Sequence, residues 1–421
     1  MTDATAGPAG AVNRASVVRV AVATAMSALC GYAVLYLAAR DLEPAGFSVF
    51  GVFWGAFGLV SGAAFGLLQE TTREVRHPGT DPAQTHPARV AAGVGIAAAA
   101  ILAATSPLWS AHVFVDLRVL SVALLCGGLA GFCIHTTLLG GLAGMGRWSE
   151  YGALMVTDAA LRVVVAVAAF AAGWGLGGYL WASVAGAFSW LLLMLVSPAT
   201  RAAAQIRTSG GTATFLRGAG HSIAAAGASA VLVMGFPVLL QATSRDLGAT
   251  GGVVILAVTL TRAPLLVPLT AMQGNLIAHF VDQRAHRLKA LLGPAALVGA
   301  LGAVGVVLAG VFGPWLLREA FGAQYRADGI LLAWLTVAAL AIALLTLTGA
   351  ATVAAALHRA YAAGWVIATV AATLLLLLPL DLEVRTVVAL LCGPLIGIGV
   401  HLSALAGRRR EAAPTYAAID D

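Results

Sequence analysis

Arg40-Asp41-Leu42-Glu43-Pro44-Ala45-Gly46 and Arg245-Asp246-Leu247-Gly248-Ala249-Thr250-Gly251 share Arg-Asp-Leu and a Gly at the same offset. The two stretches lie 205 residues apart in a chain of 421, and each links two long apolar segments. A repeat of half the chain length, set between apolar segments, is the pattern of a transporter built from two related bundles.

Composition points the same way. Sixty per cent of the residues are hydrophobic, 10% are charged and the mean hydropathy is +0.92. Soluble domains carry about 25% charged residues, so this chain is built for lipid. The net charge of +6 does not indicate nucleic acid, because the Arg residues fall in short loops rather than in one patch. Cys30, Cys126, Cys133 and Cys392 all sit in apolar runs without a C-x-x-C pair, so neither a metal site nor a disulfide framework is indicated. No cofactor motif is expected.

A spanning helix needs about 20 mostly apolar residues. Twelve segments qualify: 16–39, 47–68, 90–109, 117–141, 151–172, 175–196, 221–243, 251–273, 289–313, 329–350, 361–380 and 385–406. The first is too long for the apolar core of a signal peptide and runs directly into the repeated loop. Sixteen of the 24 Lys and Arg fall on the side of Arg14, Arg73, Arg147 and Arg201, and six on the side of Arg40, Arg118 and Arg245. The positive-inside rule then predicts a multi-pass protein of the inner (plasma) membrane with both termini cytoplasmic. The remaining two, Arg162 and Arg262, lie inside spans.

The polar connection from Ser197 to Gly220 divides the spans six and six. An even number per half means two lobes of the same orientation. The expected organisation is an N-terminal lobe (1–200), a cytoplasmic linker (201–220), a C-terminal lobe (221–407) and a cytoplasmic tail (408–421). The loop Gln69–Arg89 carries His77 and His86 beside prolines and reads as solvated loop rather than as a metal site.

Three stretches resemble the multidrug/oligosaccharidyl-lipid/polysaccharide exporter superfamily, in particular its polysaccharide (O-antigen-type) flippase branch. Residues 37–50 are similar to the family's first loop and second helix, and Thr261-Arg-Ala-Pro-Leu-Leu-Val-Pro268 looks like its eighth helix. Phe312-Gly-Pro-Trp-Leu-Leu-Arg-Glu-Ala-Phe-Gly-Ala-Gln-Tyr325 resembles the aromatic loop between its ninth and tenth helices. The resemblance implies an all-α polytopic membrane protein, with twelve transmembrane helices in two parallel-repeat six-helix lobes around a central cavity. It also implies alternating access.

An ionisable side chain inside the bilayer costs about 2.5–3.5 kcal/mol on insertion scales and usually faces a cavity or a partner. Arg162 lies 12 residues past Glu150 and Arg262 lies 11 past Gly251, so both reach the middle of the hydrocarbon core. A guanidinium from each lobe suits a lipid-linked sugar diphosphate. Each Arg can equally be a tether between helices, and Asp158, one turn before Arg162, can neutralise it. Asp158 is then either a proton or sodium site or simply an ion pair. Glu70 either lines the cytoplasmic mouth of the cavity or closes a solvated helix end. Arg19 either contacts substrate phosphate or snorkels to the interface. Pro237 interrupts the seventh span, and Pro264 and Pro268 bend the eighth, marking places where a gate can move.

The leading expectation is a non-enzymatic flippase for a lipid-linked sugar or polysaccharide precursor, working among membrane lipid and beside polysaccharide-assembly proteins. Its first rival is a multidrug antiporter of the same superfamily, which would favour acidic cavity residues. A membrane glycosyltransferase reading rests on Asp41 and Glu43, but the repeat accounts for Asp41 without chemistry, and no outward loop is long enough for an acceptor domain. A non-transporting envelope scaffold is the remaining alternative.

Overall fold

The computed structural model describes residues 14–283 and 287–411 and is almost wholly helical. In lipid every backbone polar group must be satisfied within the segment, which makes long apolar stretches helices. The first half holds α1 (Arg14–Asp41), α2 (Pro44–Arg76), α3 (Pro87–Val113), α4 (Arg118–Gly144) and α5 (Trp148–Ala172). Its sixth span runs through α6 (Gly175–Ala185), a 3-10 turn (Gly186–Phe188) and α7 (Ser189–Val196). A short α8 (Pro198–Ala204) leads to α9 (Thr212–Val233) and α10 (Phe236–Ala242). Then follow α11 (Gly248–Ala271), α12 (Gln273–Asp282), α13 (Arg287–Phe321), α14 (Gly329–Ala354), α15 (His358–Leu376) and α16 (Leu382–Glu411). Among the described residues eleven helices are long and apolar enough to cross a bilayer, and the pair α9–α10, bent by 65°, makes a twelfth. Prolines open α2, α3, α8 and α10, where a missing N–H costs nothing.

The chain forms two compact units, Met1–Gly252 and Val253–Asp421, and the boundary falls inside α11. In the first unit α2 is central and packs on α4 and α9, while α3 packs on α4, α1 on α5, and α5 on α6. The α2–α9 contact follows a glycine stripe. A methyl group placed on Gly55 would lie 3.0 Å from Pro237 Cδ, on Gly58 3.2 Å from Met234 Cβ, and on Gly62 2.7 Å from Ala230 Cβ. On Gly66 it would strike the Ile223 backbone. Lipid tails are as apolar as leucine, so membrane helices associate by such close approach rather than by a hydrophobic drive. The seventh span, assigned on sequence to the C-terminal lobe, therefore lies along α2 in the first unit.

Two short strands join loops at one end of this unit. β1 (Gln84–Thr85) pairs antiparallel with β2 (Thr208–Ser209), Gln84 opposite Ser209 and Thr85 opposite Thr208. The Gly210 amide donates to the Ala83 carbonyl at 2.7 Å, and the Thr85 and Thr212 hydroxyls lie 3.0 Å apart. The loop after α2 and the linker after α8 thus lie on the same side.

In the second unit α13 packs on α14, α15 on α16, and α14 on both α16 and α12. Third-with-fourth and fifth-with-sixth pairing therefore recurs in both halves. The Arg-Asp-Leu motif acquires a physical reading: Leu42 lies against Gly46, and Leu247 against Gly251, one turn into the following helix. A second repeated element joins the fourth and fifth spans of each half. Gly146 and Ala356 both take positive φ, 73° and 58°. The next amides, of Arg147 and Leu357, reach back to Leu142 and Thr352 at 2.8 and 2.9 Å. Both are left-handed helix terminations of Schellman type.

One expectation changes. Residues 312–321, read as part of a loop, continue α13 as helix, because Phe312, Trp315 and Leu316 extend its lipid-facing surface. Pro264 and Pro268 lie inside α11 without interrupting it. The sixth span runs over Gly175–Val196 as expected and tightens locally into a 3-10 turn at Gly186–Phe188. The expected tail, from 412 onward, and Arg284 lie outside the described residues.

Candidate functional site

The sixth span, with its 3-10 turn, helps build a polar cluster in the first unit. Arg162 on α5 donates from Nε and Nη2 to Asp158 at 3.2 and 3.0 Å, one turn earlier on the same helix. Its Nη1 donates to the Ser183 carbonyl at 2.8 Å, next to the point where α6 tightens into the 3-10 turn. Its guanidinium carbon stands 5.3 Å above the Phe57 ring centroid, a cation–π contact. Gly186 makes the approach possible, since a methyl group there would strike Asp158 Oδ1 and lie 2.6 Å from Arg162 Nε. The side chains of Arg162 and Asp158 are 14% and 17% exposed, so the pair is largely withdrawn from its surroundings without being sealed.

The cluster continues through aromatic rings. Phe57 meets Phe132 edge-on at 6.0 Å, and Phe132 stacks on His135 at 5.2 Å. His135 is buried, with Nδ1 3.3 Å from the Ser189 hydroxyl at the start of α7. A charged pair, two aromatic rings, an imidazole and a hydroxyl thus form a continuous path through α5, α2, α4 and α7.

Other candidates take different places. Glu70 is 3% exposed, so the solvated-end reading does not hold. It accepts both Arg73 Nη2 at 2.6 Å and Nε at 3.1 Å, while Gly218 of α9 backs directly onto its carboxylate. Arg73 is 58% exposed and also meets Glu74, so this pair contributes little to stability. Arg19 is exposed and donates to the Ser149 hydroxyl at 3.2 Å, joining α1 to α5. Pro237 stands in the first turn of α10, beside the 65° bend.

In the second unit Arg262 lies in the middle of α11 and is 7% exposed. No acidic residue occurs in that helix. A separate buried cluster surrounds His401 on α16. Nδ1 is 3.0 Å from the Thr348 hydroxyl, Nε2 is 3.3 Å from the Tyr361 carbonyl, and the ring stacks parallel to Tyr361. Gly364 lies beneath it, and a methyl group there would strike the imidazole. No group of three or more metal-binding side chains occurs among the described residues.

Sequence reasoning found Arg162, Asp158 and Arg262 because a charge in an apolar run is conspicuous. It passed over His135 and His401, although an intramembrane histidine carries the same signal. The stripe Gly55, Gly58, Gly62 and Gly66 is a sequence signal for small-residue packing of the same kind. Phe57, Ser183 and Gly186 carried no signal, since they act only through their neighbours in space.

No protein-family model matches the sequence. The chain is 69% identical to the uncharacterized protein Mb3654 of Mycobacterium bovis (strain ATCC BAA-935 / AF2122/97), over 94% of this chain and 93% of that protein. It is 64% identical to the uncharacterized protein Rv1510 of Mycobacterium tuberculosis (strain ATCC 25618 / H37Rv), over 97% and 96%. Among solved structures it is similar to a multidrug resistance MATE family transporter of the MOP superfamily in its inward-facing conformation. That match has a TM-score of 0.65 and 16% identity, over 94% of this chain and 100% of that one. A MOP superfamily transporter from Pyrococcus furiosus, described as having a binding pocket of reverse polarity, matches with a TM-score of 0.62 and 14% identity, over 93% and 96%. The chain therefore belongs to one family with these mycobacterial proteins, and it has the multi-pass membrane fold of the MATE-type transporters of the MOP superfamily.

Proposed function

We propose that this protein is a plasma-membrane transporter that moves a lipid-linked sugar diphosphate from the inner to the outer leaflet by alternating access, with both termini in the cytoplasm. The observation that carries the reading is Arg262, a guanidinium 7% exposed in the middle of an apolar span. A cation at that depth costs free energy that an anionic substrate can offset through bidentate hydrogen bonds. The Pyrococcus furiosus transporter supports the idea that this fold takes pockets of differing polarity. Flipping makes and breaks no covalent bond, in keeping with a chain of spans and short loops.

Drug or cation antiport is the second reading. Its support is the likeness of fold to multidrug resistance MATE transporters, together with the largely buried carboxylate of Asp158.

Deleting the gene tests both. Loss of a flippase leaves the full-length lipid-linked precursor on the cytoplasmic leaflet, inaccessible to an external probe, and lowers an exported polysaccharide. Complementation with Arg262→Ala should fail at normal membrane levels, and Arg262→Lys should be impaired because it lacks the fork. A truncated precursor would point to a glycosyltransferase. Unchanged envelope with raised sensitivity to cationic drugs would point to antiport.

A further inference from the structure

The third span of each half is an outer helix with little of its surface covered: 11% of the apolar window of α3 is buried, and 6% of that of α13. Each carries a groove at its first turns. The groove on α3 measures about 590 Å³ and that on α13 about 490 Å³. Five α3 positions line the first, Arg89, Val90, Gly93, Val94 and Ala97. The residues 200 further on from the first four, Lys289, Ala290, Gly293 and Pro294, line the second. Both grooves thus lie on the first turns of the third span of their half.

Both grooves are polar at one end and apolar along the rest. In the first unit Gln84, His86 and Arg89 stand at the polar end, closed by the Thr85–Thr212 hydroxyl contact and the β1–β2 pair. Val90, Val94 and Ala97, with Leu216 of α9, form the apolar wall, following the helical spacing of one face. In the second unit His279, Gln283 and Lys289 stand at the polar end, above Leu276, Ala290 and Pro294. Among the described residues no acidic side chain lines either groove. Among the described residues no side-chain hydrogen bond or ion pair involves the Arg89 guanidinium or the Lys289 ammonium.

The glycines are the independent observation. A glycine inside a helix costs about 1 kcal/mol relative to alanine, and membrane glycines normally recover this by close packing. Gly93 and Gly293 do not: a methyl group on either would meet nothing within 4 Å. The space they keep open is the groove itself.

We propose that each unit binds one anionic phospholipid, its phosphate held by Arg89 and His86 in the first unit and by Lys289 and His279 in the second. The acyl chain lies along the Gly93 and Gly293 faces. Basic side chains at the membrane surface attract anionic lipid by about fivefold in affinity each, while the apolar wall selects a chain over a free anion. The positive-inside reading of the loops places both polar ends at the cytoplasmic leaflet.

Native mass spectrometry of the full-length protein in detergent, titrated with phosphatidylglycerol or phosphatidylcholine, tests the assignment. Two phosphatidylglycerol molecules should bind above the background set by phosphatidylcholine. Arg89→Ala or Lys289→Ala should weaken one of them about fivefold. Gly93→Phe, which fills open space, should remove one at an unchanged melting temperature, and Arg89→Glu with Lys289→Glu should remove both. Equal binding of the two lipids, two phosphatidylglycerols retained by the double variant, or displacement by millimolar inorganic phosphate would each overturn it. Because transport is not the readout, failure here leaves the flippase reading standing, and failure of that reading leaves these sites standing.

Discussion

Asp158→Asn removes the charge that holds Arg162 while keeping the shape of the side chain and one carbonyl acceptor. The opposite charges are about 4 Å apart, and at an effective dielectric of about 20 their attraction is about 4 kcal/mol. Side-chain exposures of 14% and 17% screen part of this, and Arg162 keeps the Ser183 carbonyl at 2.8 Å and the Phe57 face at 5.3 Å. The expected net loss is about 2–3 kcal/mol, somewhat below the cost of orphaning a charge in a fully buried pair. For a unit of this size that lowers the melting temperature on the order of 5–10 °C, measured as loss of the monodisperse species after heating in detergent. Gly186→Ala should cost a similar amount, since its methyl group displaces Asp158 Oδ1 and crowds Arg162 Nε. The double variant Asp158→Leu with Arg162→Met removes both charges and should recover most of the loss, because an apolar pair replaces a buried ion pair at little cost. Transport by that variant then reads any substrate role of Arg162 separately from stability. Melting of Asp158→Asn within about 1 °C of wild type, or a double variant no better than the single one, would refute the pair as a structural tie.

Three further outcomes follow from the packing. Gly66→Val should destabilise by about 1–3 kcal/mol through overlap with the Ile223 backbone, whereas Gly93→Val, beside open space, should leave the melting temperature unchanged or raise it. Ala356→Gly should stabilise by about 1 kcal/mol, because an L side chain at φ 58° is strained, and Gly146→Ala at the matching turn should cost about as much, both seen as melting shifts. Reporter fusions after residues 210 and 421 should both signal cytoplasm; an outward signal from either would break the topology in which the paired strands β1 and β2 face inward.

Length and hydropathy alone determined which segments span the membrane, because in lipid an apolar stretch of about 20 residues has no alternative to a helix. The half-chain repeat was also legible, since Leu42–Gly46 and Leu247–Gly251 perform the same local task and keep the same letters. The second repeated turn was hidden, because a glycine at 146 and an alanine at 356 reach one left-handed conformation from different residues. The depth of Arg162 and Arg262 could be counted along the helix, but what Arg162 touches could not. Phe57 and Ser183 come from other helices, and the missing side chain at Gly186 lets the sixth span lie against the pair. Glu70 resembled a solvated helix end until Gly218, 148 residues later, closed over it. The polar linker resembled a boundary between lobes, yet α9 lies along the glycine stripe of α2. When every face of a helix is apolar, hydrophobic pattern says where helices are and nothing of which ones pair. That choice rests on small residues and single polar contacts far apart in the chain, and these exist only once the tertiary structure has formed.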